Sequence, residues 1–520
     1  MTPRTLNRRD RWLTLAAALL AGLALWAAFP PVGFGFAAPI SVALLTLAAY
    51  RTRAGWGALL GLVAGLPGYV LMLEWLRVVG TDAWLLLAAF CTLWLIGLGW
   101  ATALVTRLPG WPILVACVWV LQEALRNRYP FGGFGWFRLA FAQADTPFGL
   151  TVPIVSMAGV SFLVALTGAL LAGLVIAAIS HRWRTTIANG VAVMVLGSIG
   201  ILVPALPEPG DPVRTARIAV VQGGTPAFGL DAMAIRRAVL DNHAEQTHSF
   251  ARGLASGAGL RPDFVLWPEN STDIDPLIDP TAAAEIADAA ADIGVPILVG
   301  AVVEVPGQPT NMWNMAIVWD PRTGPGDRYA KRHLVPFGEF VPLRSLIGSL
   351  AGRLDQVARD FIPGLVPGLL VIDGIRVGDL ICYEVIADWV VQDVINAGAQ
   401  VITVQTNNAT YGGTVQPAQQ LQIERLRARE FDRVTVVAAT TGVSAVIDEH
   451  GSVISSLAEG TAGVLDESVG LRNHLTPAAK MGGVVEWGLS TLAVLGIIAA
   501  LIPWSRRRRG TSASRHRVGA

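Results

Sequence analysis

Three residues of this 520-residue chain have the side-chain types needed to move an acyl group: Glu269, Lys331 and Cys382. A carboxylate can take a thiol proton, an ammonium can hold the oxyanion that develops on a carbonyl under attack, and a thiolate is a strong nucleophile whose formation depends on the surrounding charges. Each of the three sits at or just beyond the end of an apolar run that reads as a strand. Asp263-Phe264-Val265-Leu266-Trp267-Pro268 leads into Glu269, Arg328-Tyr329-Ala330 into Lys331, and Val377-Gly378-Asp379-Leu380-Ile381 into Cys382. Strand ends in an α/β domain meet along one edge, which is where sites form.

Residue usage singles out two of the three. Among 39 basic residues only Lys331 and Lys480 are lysine, so arginine serves almost everywhere a bare positive charge is wanted. A compact ammonium enters a tight site or gives up a proton where a guanidinium cannot. Of the three cysteines, Cys91 and Cys117 fall inside apolar runs, which leaves Cys382 without a disulfide partner in the polar part of the chain. No G-x-S-x-G elbow, H-E-x-x-H pair or paired-cysteine spacing occurs, so neither a serine nucleophile nor a metal site is expected, and no cofactor. Gly33-Phe34-Gly35-Phe36-Ala37-Ala38 lies between apolar runs with no βαβ unit around it and reads as an interfacial turn, not a dinucleotide loop.

Composition divides the chain. A hydrophobic content of 53% and a mean hydropathy of +0.52 are far above those of a soluble protein, yet residues from about Arg214 to Thr476 read as globular. The excess lies in apolar runs at Trp12–Phe29, Ala38–Tyr50, Gly55–Leu76, Ala83–Thr106, Trp111–Leu125, Val152–Ile179, Ile187–Leu206 and Val484–Trp504. They predict seven membrane spans before the globular block and one after it, the second and fifth being short. Basic residues before span one, Arg51 and Arg53, Arg107, Arg182 and Arg184, and the run Arg506–Arg509 all fall on one side of this arrangement. That side should be cytoplasmic, with the globular block outside. Arg126, Arg128 and Arg138 break the pattern beside the aromatic-glycine segment Pro130–Phe137, which reads as a re-entrant loop, a substrate-binding element, or both. A net charge of +1 with no basic patch excludes nucleic acid as a partner.

Inside the globular block, strands at Arg217–Gln222, Asp263–Trp267, Pro296–Glu304, Met315–Trp319, Leu369–Ile372, Val377–Ile381, Val401–Thr406 and Val434–Ala439 alternate with helical stretches at Asp231–Leu254, Ala282–Ile293 and Val415–Asp432, with a further helix opening near Asp388. This alternation predicts an α/β layered domain. The apolar positions of Phe340–Gly364 suggest either a mobile lid near the bilayer or an ordinary amphipathic surface helix.

Three segments together, Trp267-Pro268-Glu269, the stretch Tyr329–Glu339 around Lys331, and Ile381-Cys382-Tyr383-Glu384, resemble the nitrilase superfamily of carbon-nitrogen hydrolases over about Arg217 to Pro477. Set between seven upstream spans and one downstream, the block resembles the membrane-embedded branch of that superfamily, the apolipoprotein N-acyltransferases. The resemblance implies a nitrilase-like α-β-β-α sandwich inserted before the last helix of an eight-helix transmembrane bundle. Its divisions would be a bundle over 1–210, an extracytoplasmic catalytic domain over 211–478, an eighth span over 479–505 and a basic cytoplasmic tail over 506–520. It implies Glu269 as general base, Lys331 as oxyanion stabiliser and Cys382 as acyl carrier, with Glu339, Tyr383 and Glu384 in support, Tyr383 through its backbone N–H. Glu339 and Glu384 would either orient Lys331 or take part in proton transfer. Trp267, Arg138 and Phe228 are the candidate substrate-binding residues, although Gly224 and Phe228 stand where the family pattern leads one to expect an asparagine and, later, a tryptophan. The partners implied are a phospholipid acyl donor, a diacylglyceryl-modified apolipoprotein acceptor and the bacterial inner membrane, with catalysis on the periplasmic face. A membrane-tethered amidase or nitrilase that uses water as acceptor is the alternative reading.

Overall fold

Apolar runs that cannot satisfy their backbone in lipid must be helical, and the computed structural model, which describes residues 5–201, 211–226, 229, 237–344 and 359–502, has a helix at each of the eight. They are α1 (Arg8–Ala27), α2 (Ala37–Ala49), α3 (Ala54–Met72), α4 (Thr81–Val105), α5 (Trp111–Arg126), α6 (Val152–Ile179) and α7 (Trp183–Ser198), then, after the mixed block, the last helix Val484–Leu501. Six are long and apolar enough to cross a membrane, α7 only when its continuation to Ile201 is included; α2, with 13 residues, and α5, with 16, fall short of that length. The third ends earlier than its apolar run, at Met72, where the chain tightens into a 3₁₀ turn over Glu74–Val78. Small residues let these helices approach closely. A Cβ on Gly61 of α3 would lie 2.0 Å from the Leu95 carbonyl oxygen of α4, and one on Gly99 2.2 Å from that of Gly57.

The mixed block holds two sheets. Strands β1 (Arg214–Gln222), β2 (Phe264–Leu266), β3 (Ile297–Val305), β4 (Gln308–Asp320), β5 (Gly324–Ala330) and β13 (Gly463–Leu471) run in the order β13-β1-β2-β3-β4-β5, with β6 (Asp360–Phe361) paired to β4. The second sheet has the order β12-β11-β10-β9-β8-β7, from β7 (Leu369–Ile372), β8 (Ile375–Ile381), β9 (Val401–Thr406), β10 (Thr435–Ala439), β11 (Ala445–Ile447) and β12 (Val453–Ser456). Alternation along the strands sorts the side chains into layers. Ile218, Val220, Phe264 and Leu266 face Ile375, Val377 and Val436 between the sheets. Ala219, Val221, Val265 and Val299 point the other way, onto α8 (Ala238–Ala255) and α9 (Pro280–Ile293). The outer face of the second sheet packs Leu380, Ile402 and Val404 against α10 (Asp388–Asn396) and α11 (Gln416–Phe431). The result is helix, sheet, sheet, helix.

Helix ends follow local chemistry. Asp279 caps α9 by accepting from the backbone N–H groups of Thr281 and Ala282, Pro280 occupies the first turn, and Gly294 closes the helix at φ +66°. The short helix α12 (Pro477–Met481) leads into α13, the last apolar helix (Val484–Leu501). Strands β6 and β11 to β13 go beyond the pattern read from sequence, and β5 begins at Gly324, before the run that leads into Lys331. Residues 345–358, where most of the expected lid lies, are outside the described residues, as are 231–236 at the start of the expected helix before Leu254.

The apolar helices and the mixed block share a core. One continuous cluster runs from Ala18 and Leu60 through Phe137 and Phe148 to Tyr383, Val385, Ile386, Ile423 and Leu426. The α3–α4 contact supports that cluster, so Gly61→Val is expected to lower stability in detergent by about 1–3 kcal/mol through overpacking, read as a fall in thermal midpoint. Gly97→Ala, a position with nothing within 4 Å of the added carbon, should leave the midpoint unchanged.

Candidate active site

Glu269, Lys331 and Cys382 come from three strand ends on two sheets. Glu269 lies three residues beyond β2, Lys331 directly follows β5, and Cys382 directly follows β8. Gly300 on β3 makes room for the first of these, since a Cβ there would sit 2.2 Å from the Pro268 carbonyl oxygen. Cys382 itself adopts φ +51°, a left-handed conformation rare for a residue with a Cβ, at the turn from β8 into the 3₁₀ helix Cys382–Ile386. The turn leaves the thiol half-buried at the end of its strand.

Lys331 is the electrostatic centre. Its ammonium is fully buried and donates to Glu269 Oε1 at 3.0 Å and to Glu339 Oε1 at 3.0 Å. Burial alone would lower its pKa, but the two carboxylates and nearby Cys382 and Glu384 raise it above the usual lysine value, so the site carries a fixed cation. Asn314 on β4 ties the carboxylates together, its Nδ2 donating to Glu269 Oε1 at 2.6 Å and to Glu339 Oε1 at 2.9 Å. Glu339 Oε2 accepts from the Val335 N–H at 2.7 Å, and Glu269 Oε2 from that of Asn407 at 2.9 Å. Burial pushes the Cys382 thiol up to about 12, with Glu269 raising it and Lys331 lowering it. The resting sulfur is therefore a thiol, beside a carboxylate able to take its proton.

Glu384 occupies a different position from Glu339. It is fully buried and touches backbone and phenol, not the ammonium: its carboxylate accepts from the N–H groups of Ile381, Arg332 and His333 at 2.7–3.0 Å and from the Tyr329 hydroxyl at 2.8 Å. It thereby clamps the segment after Lys331 to the turn that carries Cys382. Desolvation raises its pKa, opposed by those backbone donors and by Lys331.

An aromatic wall closes the site on the side of the apolar helices. Tyr383 stacks on His333 at 5.3 Å between ring centres and on Trp136 at 6.1 Å, with Phe134 at 6.3 Å. Trp75 meets Tyr411 edge-on at 5.0 Å. The aromatic-glycine segment thus covers the turn that carries Cys382, and Trp136 Nε1 is anchored by Gln419 Oε1 at 3.0 Å.

Other residues marked from sequence lie elsewhere. Trp267 is wholly buried in the layer between the first sheet and its helices and donates from Nε1 to Thr247. Arg138, 1% exposed, is held by Asp388 Oδ2 at 2.6 Å with Glu123 and Glu486 near its other nitrogens, so its charge is spent at the junction of the two halves. Phe228 is outside the described residues. The arginines that broke the charge pattern are all matched internally: Arg126 donates to the Phe134 and Phe137 carbonyls, and Arg128 pairs with Glu486. Sequence reasoning passed over Asn314, and it gave no catalytic role to Tyr329 or Thr406. Asn314 carried a usable signal, an amide at an inward position between the apolar residues of β4.

His333 gives the site a pH signature. Burial, helped by Lys331, lowers its pKa to about 4, below the value near 6.5 of an unfolded chain. A depressed pKa contributes stability that is present above pH 6.5 and lost as pH falls towards 4. Between pH 7 and pH 5 the protein should lose about 2 kcal/mol that His333→Phe, which keeps the stack on Tyr383, does not lose, measured by thermal unfolding in detergent.

Residues 21–170 match the apolipoprotein N-acyltransferase N-terminal domain, and residues 217–472 match the carbon-nitrogen hydrolase family. The chain is 41% identical over 519 residues to an apolipoprotein N-acyltransferase of Mycolicibacterium smegmatis, covering 95% of this chain and 85% of that one. It is 29% identical over 528 residues to the protein of that name from Methylococcus capsulatus, covering 96% and 97%. Among solved structures, an amidase of the nitrilase superfamily from Nesterenkonia AN1 aligns at 20% identity with a TM-score of 0.37, over 51% of this chain and 93% of that one. By its identity to the mycobacterial protein along nearly its whole length, the chain belongs to the apolipoprotein N-acyltransferase family.

Proposed function

We propose that the protein transfers an acyl chain from a membrane phospholipid, through a thioester on Cys382, to the N-terminal amine of a diacylglyceryl-cysteine on an apolipoprotein. The observation that carries the mechanism is the buried Lys331 ammonium shared by Glu269 and Glu339 beside the half-buried Cys382. Glu269 takes the Sγ proton as the sulfur attacks the ester carbonyl, and the oxyanion that forms is held by Lys331. Collapse breaks the acyl C–O bond, Glu269 returns the proton to the departing glycerol oxygen, and a lysophospholipid leaves. The acceptor amine then attacks the thioester, Glu269 takes a proton from its nitrogen, and the second collapse expels the Cys382 thiolate, which is reprotonated as the amide departs. Glu339 keeps Lys331 in place and Glu384 holds the nucleophile turn, both without exchanging protons with substrate, while the Tyr383 N–H follows the nucleophile as a second oxyanion donor.

The same reading gives the architecture: seven spans over 1–210, a catalytic domain over 211–478 on the periplasmic face, an eighth span over 479–505 and a cytoplasmic tail over 506–520. Charge at the two ends of the bundle supports it. Arg51 and Arg107 share one end, where the Arg51 N–H meets Thr106 Oγ1 and Arg107 reaches the Thr52 carbonyl. The catalytic half contacts the other end, where Gln419 reaches the Pro30 carbonyl and Trp75 meets Tyr411. Arg51 and Arg107 thus lie at the end opposite the catalytic half, as the positive-inside rule asks of a cytoplasmic end. Hydrolysis by water is less well supported, because the relatives similar along the whole chain are named as acyltransferases.

Incubation with labelled phospholipid should give a hydroxylamine-labile acyl adduct on the Cys382 peptide by mass spectrometry. Cys382→Ser should yield no thioester, and Glu269→Gln should slow adduct formation by about 100-fold or more. Lys331→Arg should cost a similar factor, about 100-fold, because a guanidinium cannot fit between the two carboxylates. Release of ammonia from small amides, with no adduct and no acylated lipopeptide, would overturn the proposal in favour of the amidase.

A further inference from the structure

From the Cys382 sulfur a file of buried polar side chains leads into α11. Thr406 Oγ1, at the end of β9, lies 3.2 Å from Cys382 Sγ. Gln420 Nε2 donates to Thr406 Oγ1 at 3.0 Å and to Glu424 Oε1 at 2.9 Å. Gln420 Oε1 accepts from Asn408 Nδ2 at 3.0 Å and from Gln416 Nε2 at 3.2 Å. Thr406, Asn408, Gln416, Gln420 and Glu424 are all at most 3% exposed, and among the described residues Glu424 has no ion-pair partner.

The orientation of the Gln420 amide decides where the Thr406 proton goes. Two donors face Gln420 Oε1 and a carboxyl oxygen faces Nε2, so a flipped amide would set donors against donors in a buried site. With the amide fixed, Thr406 Oγ1 accepts from Gln420 and must give its own proton elsewhere. Two acceptors are in reach, Asn408 Oδ1 at 3.2 Å and Cys382 Sγ at 3.2 Å. A neutral thiol is the weaker acceptor of the two, and a thiolate the stronger, because a hydrogen bond to an ionised group is about twice as strong as a neutral one. The hydroxyl therefore stabilises the sulfur when it is charged and releases it when it is not.

We propose that Thr406 is a catalytic residue of the acyl transfer, donating its hydroxyl to Cys382 Sγ whenever the sulfur is anionic, and that Gln420 and Glu424 are positioning residues that aim it. The proposal rests on Cys382 being the acyl carrier. It acts wherever negative charge develops on the sulfur, as the proton leaves during attack on the ester and as the thioester collapses, and no proton changes owner at Thr406. The charged groups that face Cys382 from other elements, Glu269 and Lys331, and the Tyr411 phenol, are untouched by changes at Thr406.

The test uses the full-length protein in detergent with phospholipid. Alkylation of Cys382 by iodoacetamide, followed on its own peptide by mass spectrometry from pH 7 to 9, should slow about fivefold in Thr406→Val, which matches threonine in shape but lacks the donor. Thioester formation should slow about tenfold in the same variant, and Thr406→Ser should restore both rates to within about threefold of the parent. Gln420→Met should shift both in the same direction by a smaller factor, and it carries the test if Thr406→Val does not assemble. Parental rates in Thr406→Val, or rates lost equally in Thr406→Ser, would overturn the assignment. Absence of any acyl adduct on the parent protein would instead remove Cys382 as carrier, an outcome that the alkylation rates do not depend on.

Discussion

The structure depends on one buried ammonium. Removing Lys331 from water is costly, and only the two carboxylates 3.0 Å away offset that cost. Those carboxylates are in turn held by Asn314 and by the N–H groups of Val335 and Asn407, which belong to the β4 strand, the loop beyond β5 and the segment after β9. A shift of either sheet relative to the other would leave a charge unpaired in a dry site. The ion cluster therefore fixes the register of the two sheets as well as the local electrostatics. It also explains why a lysine stands here in a chain that otherwise uses arginine: a single point charge fits where two carboxylate oxygens converge, and a planar fork does not.

A second constraint ties this cluster to the apolar helices. Arg427 on α11 donates to the Val385 and Ile386 carbonyls of the nucleophile turn and pairs with Asp388, which also holds Arg138 from the segment between α5 and α6. Glu430, one turn further along α11, accepts from the Met157 N–H that is freed where α6 departs from helical geometry at Ser156. The nucleophile turn is thus braced from below by groups of the helical half and roofed by Trp136 and Phe134. The position of Cys382 is a property of both halves together, and the catalytic half is not a hydrolase domain simply hung on an anchor.

The sequence revealed what local pattern encodes. Strands β7, β8 and β9 and helices α9, α10 and α11 stand within a few residues of where periodicity places them, and the three reactive residues stand at strand ends, as apolar runs that stop at polar residues imply. Partner identity was harder to read. Nothing near Arg138 indicates that its partner is Asp388, 250 residues away, so an arginine in an aromatic loop looks like a ligand-binding group when it is a strut. Trp267 misleads in the same way: it continues the face of β2 that carries Val265 and packs towards α8 and α9, while Glu269, two residues on, lies beyond the strand end, where the chain has left the pleat. Strand β13 escaped notice because its sequence, with Asp466, Glu467 and Ser468 interrupting the apolar residues, has the pattern of a partly exposed strand whose pairing with β1 spans the whole block.

On the proposed chemistry, placement of the thiol bears on why a lipid ester would suit this site better than a small amide. The resting sulfur is protonated, so reaction must couple loss of that proton to approach of a carbonyl, and an unpaired thiolate never has to be stored in a site with two carboxylates and one ammonium. Such a site gains most from a substrate held still long enough for both events. The wall formed by His333, Tyr383 and Trp136 is continuous with the apolar core of the helices, which on the proposed chemistry is the side from which a lipid ester would approach. A small soluble amide has no long hydrocarbon to bring to that side. The energy that positions the ester on the proposed chemistry comes from its remote hydrocarbon, and the reacting groups can therefore remain few.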